Sequence, residues 1–342
     1  MTTTVAIVAV LSMIPARDCG GVLNWFGITS IPSFYADGTM QSRRSFLQAA
    51  AIGTGLAFTR SHAFADRTET PWLRRTLKIG MIGGKGSLEE KFTIALEAGF
   101  EGVEMNVPGT DVESANAAAE KTGLIIDGTV GGYHWEVRHT DPDDAVRADA
   151  LTKLKAGIRE TRAMGADTML LVPGHGKDGT AEEVYSRAVA AVEAALPVAE
   201  ENKVAILIEN VWNHFLYDHD GGSDQTAEDL AKFIDHFDSP LVGVQFDIGN
   251  HWKYGDPAAW IRTLGSRIQK LDIKGFSRGS GQFTKIGEGD IDWASVETAL
   301  HDIQFQGWLA AEVQGGDLQR LKEVVNNMNA ALHCDEVIAS AR

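Results

Sequence analysis

Cysteine is nearly absent from this chain. Its only two, Cys19 and Cys334, exclude a disulfide framework and a metal site built from thiolates. Basic residues are in deficit too. Against 47 Asp and Glu stand 31 Lys and Arg, a formal net charge of −16, and nowhere do the basic residues form the stripe that a phosphate backbone attracts, so no nucleic-acid partner is expected. The apolar run AAAIGTGLAF, residues 49–58, is too short to cross a bilayer comfortably. Beyond Leu77 no Pro/Ser-rich linker divides the chain, and the glycines of GMIGGKGS (residues 80–87) have the wrong spacing for a dinucleotide loop. What is present is an apolar fraction of 44%, ordinary for a globular protein and enough for one large domain or two modest ones.

Near the start, SRRSFL (residues 42–47) puts two arginines before that apolar run, and Ala63-Phe64-Ala65 follows it. Basic, apolar and small-x-small residues in this order predict a cleavable twin-arginine export signal over residues 40–65, with a periplasmic destination. A membrane anchor or a buried N-terminal helix is the alternative. A signal belongs close to the initiator, so Met40 is the expected start and residues 1–39 a mis-called upstream segment. The mature protein would run from Asp66 to Arg342, keep Cys334 alone and have no stable membrane span. The twin-arginine route carries folded proteins, often already loaded with a cofactor.

Short β-like runs then alternate with amphipathic stretches: LKIGMI (77–82), GVEMN (102–106), LIIDGTV (124–130), DTMLLVPG (167–174), VAILIEN (204–210), VGVQFDIGN (242–250), IQKLDIKG (268–275) and GWLAAEV (307–313). Between them, segments such as DAVRADALTKLKAGIRETRAMG place apolar residues three and four apart, the helical period. Glycines in EAGFEG, KTGLI, AMGAD and FQGWL end helices and lead into strands. Eight such units over roughly 250 residues predict a single (β/α)8 TIM barrel. A doubly wound open sheet has the same alternation.

Four of these strands carry a carboxylate where a core residue belongs: Glu209, Asp247, Asp272 and Glu312. An isolated buried carboxylate is costly. In a barrel the C-terminal ends of strands five to eight converge on the catalytic face, so the four should meet around a positive charge. An all-oxygen set suits one hard divalent cation. Pairing with nearby lysines, Lys270 or Lys274 for instance, is the plainer reading.

On LIEN around Glu209, FDIGN around Asp247, KLDIKGFSR around Asp272, the GEGDIDW box at 287–293 and AAEV around Glu312, the chain from Leu77 to Leu332 resembles the sugar phosphate isomerase/epimerase family of xylose-isomerase-like barrels, which includes ketose 3-epimerases. The resemblance implies one divalent metal, Mn²⁺ first and Mg²⁺ or Co²⁺ as alternatives, held by Glu209, Asp247, Asp272 and Glu312, with Glu209 and Glu312 also acting as acid and base. Asp272 stands where the family has histidine, which implies a harder ion and a more electropositive surrounding. Asn250 replaces a substrate-binding histidine and Phe215 a glutamate, whereas Arg278 matches a substrate-binding arginine.

The implied reaction is proton transfer at a carbon next to a carbonyl, giving a sugar isomerase or epimerase. A β-leaving group would make the same apparatus a 3-keto-glycoside lyase, and a non-catalytic sugar-binding protein is a third reading. An apurinic endonuclease shares the fold but fits neither the acidity nor the shortage of histidine ligands. Expected substrate contacts are Trp135, His175, Asn250, His251, Lys274 and Arg278, since mouth loops carry such groups. The expected partner is a small sugar or keto-glycoside, and a homo-oligomer is left open.

Overall fold

The computed structural model describes residues 71–336; the expected upstream segment 1–39 and export signal 40–65 lie outside the described residues. Eight parallel strands make one sheet: β1 (Leu73–Leu77), β2 (Gly102–Val107), β3 (Ile125–Gly131), β4 (Thr168–Leu171), β5 (Ala205–Glu209), β6 (Val242–Asp247), β7 (Ile268–Ile273) and, after a small hairpin of β8 (Gly275–Ser277) and β9 (Gln282–Thr284), β10 (Gly307–Ala311). Their order is β1-β10-β7-β6-β5-β4-β3-β2. Every barrel strand lies beside its sequence neighbour, with none of the order reversal of a doubly wound sheet. The ends of the sheet meet through a parallel bridge between Lys78 and Glu104. The result is a nearly closed (β/α)8 barrel.

Eight helices separate the strands: α1 (Leu88–Ala98), α2 (Val112–Thr122), α3 (Asp144–Ala163), α4 (Ala181–Asn202), α5 (Glu228–Asp235), α6 (Pro257–Leu264), α7 (Trp293–Asp302) and α8 (Leu318–Leu332). Their ends follow from local chemistry. Ser87 with Glu90 and Thr180 with Glu183 form capping boxes at the starts of α1 and α4, each satisfying two otherwise unpaired N–H groups. Gly99 ends α1 at φ 104°, a left-handed conformation that glycine alone reaches cheaply. In α4, Val184, Ala188, Val192, Ala195 and Ala199 are buried; spaced three or four apart, they form one stripe against the sheet, each valine contributing about 1.5–3 kcal/mol.

The structure corrects the expected first strand. It is Leu73–Leu77, followed by a 3-10 turn at Ile79–Met81, not residues 77–82. Arg74 and Arg75 disguise it, but both guanidiniums pair with Glu101, and Arg74 also stacks on the Trp308 ring at 3.9 Å. The shift puts Lys78 at the C-terminal mouth. The hairpin β8–β9 was also not foreseen; three-residue strands are too short for a periodic signal.

The barrel interior is polar where such barrels are normally filled by branched apolar residues. Side chains two apart on a strand share a face, so K-x-D-x-K in IQKLDIKG aims Lys270, Asp272 and Lys274 inward at successive heights. Lys270, 1% exposed, lies 2.8 Å from Glu104 Oε1 and also meets Asp127. Above it, Gln245 donates to Glu104 Oε1 at 3.0 Å and to Asp272 Oδ1 at 2.9 Å. This column reaches the mouth and sets the floor of the site.

Candidate active site

Glu209, Asp247, Asp272 and Glu312 meet as expected at the C-terminal mouth. Each offers an oxygen, and the four oxygens lie within 4.8 Å of one another. The strand ends are locked by Asn210, whose side chain accepts from Asp247 N at 2.7 Å and donates to Asp247 O at 2.9 Å. Asp247 Oδ1 accepts from the N–H groups of Gly249 and Asn250, both at 2.8 Å, leaving Oδ2 for the cluster. Asn250 Nδ2 donates to Glu209 Oε1 at 3.2 Å. Gly249 is required: a Cβ there would lie 2.5 Å from Lys274 Cγ and 2.6 Å from Lys274 O.

Two lysines stand among the four. Lys274 Nζ is 2.8 Å from Asp247 Oδ2 and 2.7 Å from Glu312 Oε2, while Lys78 Nζ is 3.0 Å from Asp272 Oδ1 and 2.6 Å from Glu104 Oε2. The expected pairing with Lys274 is therefore present, whereas Lys270 pairs one layer below with Glu104 and Asp127. Lysine pairing alone does not balance the mouth cluster. Fully ionised, the four carboxylates outnumber the two ammonium groups, one of which, Lys78, also serves Glu104, and a divalent cation would supply the missing positive charge. Asp247 Oδ2 and Glu312 Oε2, both buried, share the single ammonium of Lys274. Buried polar atoms are normally better satisfied in native structures, and an all-oxygen donor set fits a hard metal ion. The residues present thus fit such an ion.

Electrostatics separate the two glutamates. Burial raises Glu209 well above the usual carboxylate range, and the charges of Glu312 and Asp272 push it further. Burial works the same way on Glu312, but Lys274 and Lys78 overcome it and hold that carboxyl below its usual value. Burial takes Asp247 up to about 8 against the pull of Lys274, and Asp272 to about 6 against that of Lys78.

Above the cluster lies a cavity of about 350 Å³, lined by Glu209, Glu312, Lys78, Lys274 and Asn250 at its base and by His134, Trp135, Trp212 and Phe283 on its walls. Of the expected substrate contacts, Trp135, Asn250 and Lys274 are there. His175, His251 and Arg278 are not. His175 caps a 3-10 turn, its Nδ1 accepting from Lys177 N at 3.1 Å. His251 is buried against Trp260, with Nε2 3.3 Å from Val211 O. The Arg278 guanidinium stacks on Trp252 at 3.5 Å and donates to the carbonyls of Trp252 and Gly255. In each case local packing claims the side chain.

Lys78, His134, Trp212 and Phe283 are not among the contacts expected from the sequence. Lys78 was hidden by the displaced first strand. His134 Nδ1 accepts from Val172 N at 3.2 Å and burial lowers the ring to about 3, so it is a neutral imidazole with its other nitrogen free to donate.

Parallel strands, alternating helices and an acidic centre at the C-terminal mouth define the class: a (β/α)8 barrel built for chemistry at its strand ends. Residues 92–331 match the model of the xylose isomerase-like TIM barrel family, and the chain belongs to that family, which is one of enzymes. It is 25% identical over 250 residues to a proposed L-ribulose-5-phosphate 3-epimerase of Escherichia coli (strain K12), covering 66% of this chain and 84% of that protein. With the inosose dehydratase of Clostridium perfringens (strain 13 / Type A) it shares 27% identity over 260 residues, 68% of this chain and 84% of the other. Among solved structures, the IolI protein with a bound zinc atom superposes with a TM-score of 0.64 at 14% identity, covering 78% of this chain and all of that one (100%). The 3-keto-D-glucoside 4-epimerase of E. coli superposes at 0.62 and 15% identity, covering 76% and 98%. At these identities the two structures show the fold.

Proposed function

We propose that this protein is a divalent-metal-dependent sugar isomerase or epimerase that moves a proton at a carbon next to a carbonyl. The observation that carries the reading is the convergence of four strand-end carboxylates, two of them sharing one lysine, beneath a sugar-sized cavity. Glu209, Asp247, Asp272 and Glu312 would hold the ion, Mn²⁺ first and Mg²⁺ or Co²⁺ as alternatives. When bound, such an ion acidifies the C–H bond beside a chelated carbonyl and stabilises the negative charge that develops.

The chain's own residues do the rest. Glu312, kept ionised by Lys274 and Lys78, takes the proton. Glu209, whose burial and acidic neighbours favour its protonated form before the ion binds, would return one from the other side of the sugar. Two carboxyls whose surroundings push their pKa values apart are a usual base and acid pair. Asn250 orients Glu209 through its 3.2 Å hydrogen bond. His134 and Trp135 stand over the cavity, where a neutral donor and an aromatic face can hold a polyol. His175, His251 and Arg278 would act only through the loops they brace.

A second reading, β-elimination from a 3-keto-glycoside, is favoured by the similarity to a protein named for a dehydration, because loss of a β-substituent begins with the same proton abstraction. The export signal adds a periplasmic address, where scavenged glycosides are at hand. The test is solvent deuterium exchange into keto-sugars and 3-keto-glycosides by the Mn²⁺-loaded protein, followed by NMR. Exchange with an epimeric product supports the first reading; exchange with an unsaturated, cleaved product supports the second. Ligand binding without exchange in any substrate would leave a sugar-binding protein.

A further inference from the structure

A second cavity, about 800 Å³, adjoins the first and shares Lys274, Phe283 and Glu312 with it. It runs outward between the β8–β9 hairpin and the segment after β10, past Lys285, Gln314, Arg320 and Glu323. Phe283, at the junction, is one of three large apolar side chains exposed among the described residues, 47% accessible. It is not loose. Its ring packs on Phe276 at 5.3 Å and Trp212 at 5.1 Å, and Lys274 Nζ sits 5.2 Å from its centre. A packed aromatic face shared by two open cavities, one of them over the reactive carboxylates, is the form of a ring-binding platform.

Charge decides what ring. Lys285 Nζ and Arg320 Nη1 lie 2.7 and 2.8 Å from opposite oxygens of Glu323. Lys78 and Lys274 are likewise within 3.0 Å of carboxylates. Every Lys and Arg among the described residues lining the two cavities is therefore already paired. A phosphate dianion entering either cavity would have to break an ion pair and face the freed carboxylate. A neutral polyol loses nothing: it offers C–H groups to Phe283 and hydroxyls to the paired charges along the rim.

We infer that the second cavity is a subsite for the second ring of a neutral two-ring glycoside, with Phe283 a specificity-determining residue at the linkage, and that sugar phosphates are not substrates. This deepens the function proposed above and rests on it for the chemistry at the first ring.

The test is equilibrium binding to the full chain followed by tryptophan fluorescence, with Trp212 as the nearby reporter and glucose, glucose 6-phosphate, cellobiose, maltose and trehalose as probes. At least one disaccharide should bind tenfold or more tighter than glucose and glucose 6-phosphate. Phe283→Ala should cut the disaccharide-to-glucose affinity ratio at least fivefold, and Phe283→Tyr should restore it. Glu323→Gln, which frees Lys285 and Arg320, should raise affinity for glucose 6-phosphate about tenfold. Tighter binding of glucose 6-phosphate than of any disaccharide by the wild type, no binding of any disaccharide, or a ratio indifferent to Phe283 would overturn the inference. Deuterium exchange reports separately. Exchange without disaccharide preference removes the subsite and keeps the proton-transfer function; disaccharide preference without exchange does the reverse.

Discussion

Glu209 and Glu312 are chemically alike and differ only in what surrounds them. Glu312 has Lys274 at 2.7 Å; Glu209 has the amide of Asn250 at 3.2 Å and feels Lys274 only at a distance. If they work as base and acid, Glu312→Gln and Glu209→Gln should each slow α-proton exchange by 10²- to 10⁴-fold while the thermal midpoint moves little, which NMR exchange rates and a melting curve together would show. Lys78 makes a different prediction. It is the counter-ion of Asp272 and Glu104, both without solvent exposure, so Lys78→Met leaves two buried carboxylates short of a partner. The metal-free protein should lose about 3–5 kcal/mol of stability by urea titration, the usual cost of breaking a buried pair from one side. The four carboxylates were legible because a charge at the end of an apolar strand violates a strong rule. Glu104 in GVEMN and Asp127 in LIIDG violate it equally. They were passed over because they lie in early strands, away from the motif-bearing half of the chain.

At the scale of elements, the site depends on how closely the ends of β6 and β7 approach. The Gly249→Ala methyl would meet the Lys274 backbone oxygen at 2.6 Å, and a backbone atom cannot rotate away. The expected cost is about 1–3 kcal/mol, the range for overpacking, with weaker Mn²⁺ binding by calorimetry. A second tie joins the loops after β3 and β4, where Asp178 accepts from Arg138 Nη2 at 2.7 Å and also bonds Thr140. Burial raises the Asp178 carboxyl, but the Arg138 and Thr140 hydrogen bonds outweigh it and bring it below its ordinary 3.8. A folded-state value below the unfolded one gives stability that is complete above 3.8 and lost as pH falls through the folded value. Melting temperature should therefore drop below pH 4 more steeply in the wild type than in Asp178→Asn; parallel curves would show that the tie contributes nothing. Seven of the eight barrel strands could be read from the sequence because each is a compact apolar run between turn residues. The first could not, because two consecutive arginines interrupt its apolar run, and Lys78 was lost with it.

For the whole molecule, the alternation of strands and helices pointed to a barrel, and the order of strands completes that reading. What did not transfer from pattern to structure were single side chains whose role depends on their neighbours. Arg278 matches a family position in the sequence, yet Trp252 and two carbonyls hold it; His251 follows the aspartate ligand and is packed on Trp260. No helix among the described residues is long and apolar enough to cross a membrane. The mouth cluster is proposed above to be one divalent-metal site. Its most direct test is calorimetric titration of Mn²⁺ into the metal-stripped protein, with Asp272→Ala alongside. One site per chain is expected in the wild type and a site at least tenfold weaker in the variant. Wild-type protein that takes up no Mn²⁺, Mg²⁺ or Co²⁺ at millimolar concentration would contradict it and leave the four carboxylates as partners of Lys78 and Lys274 alone.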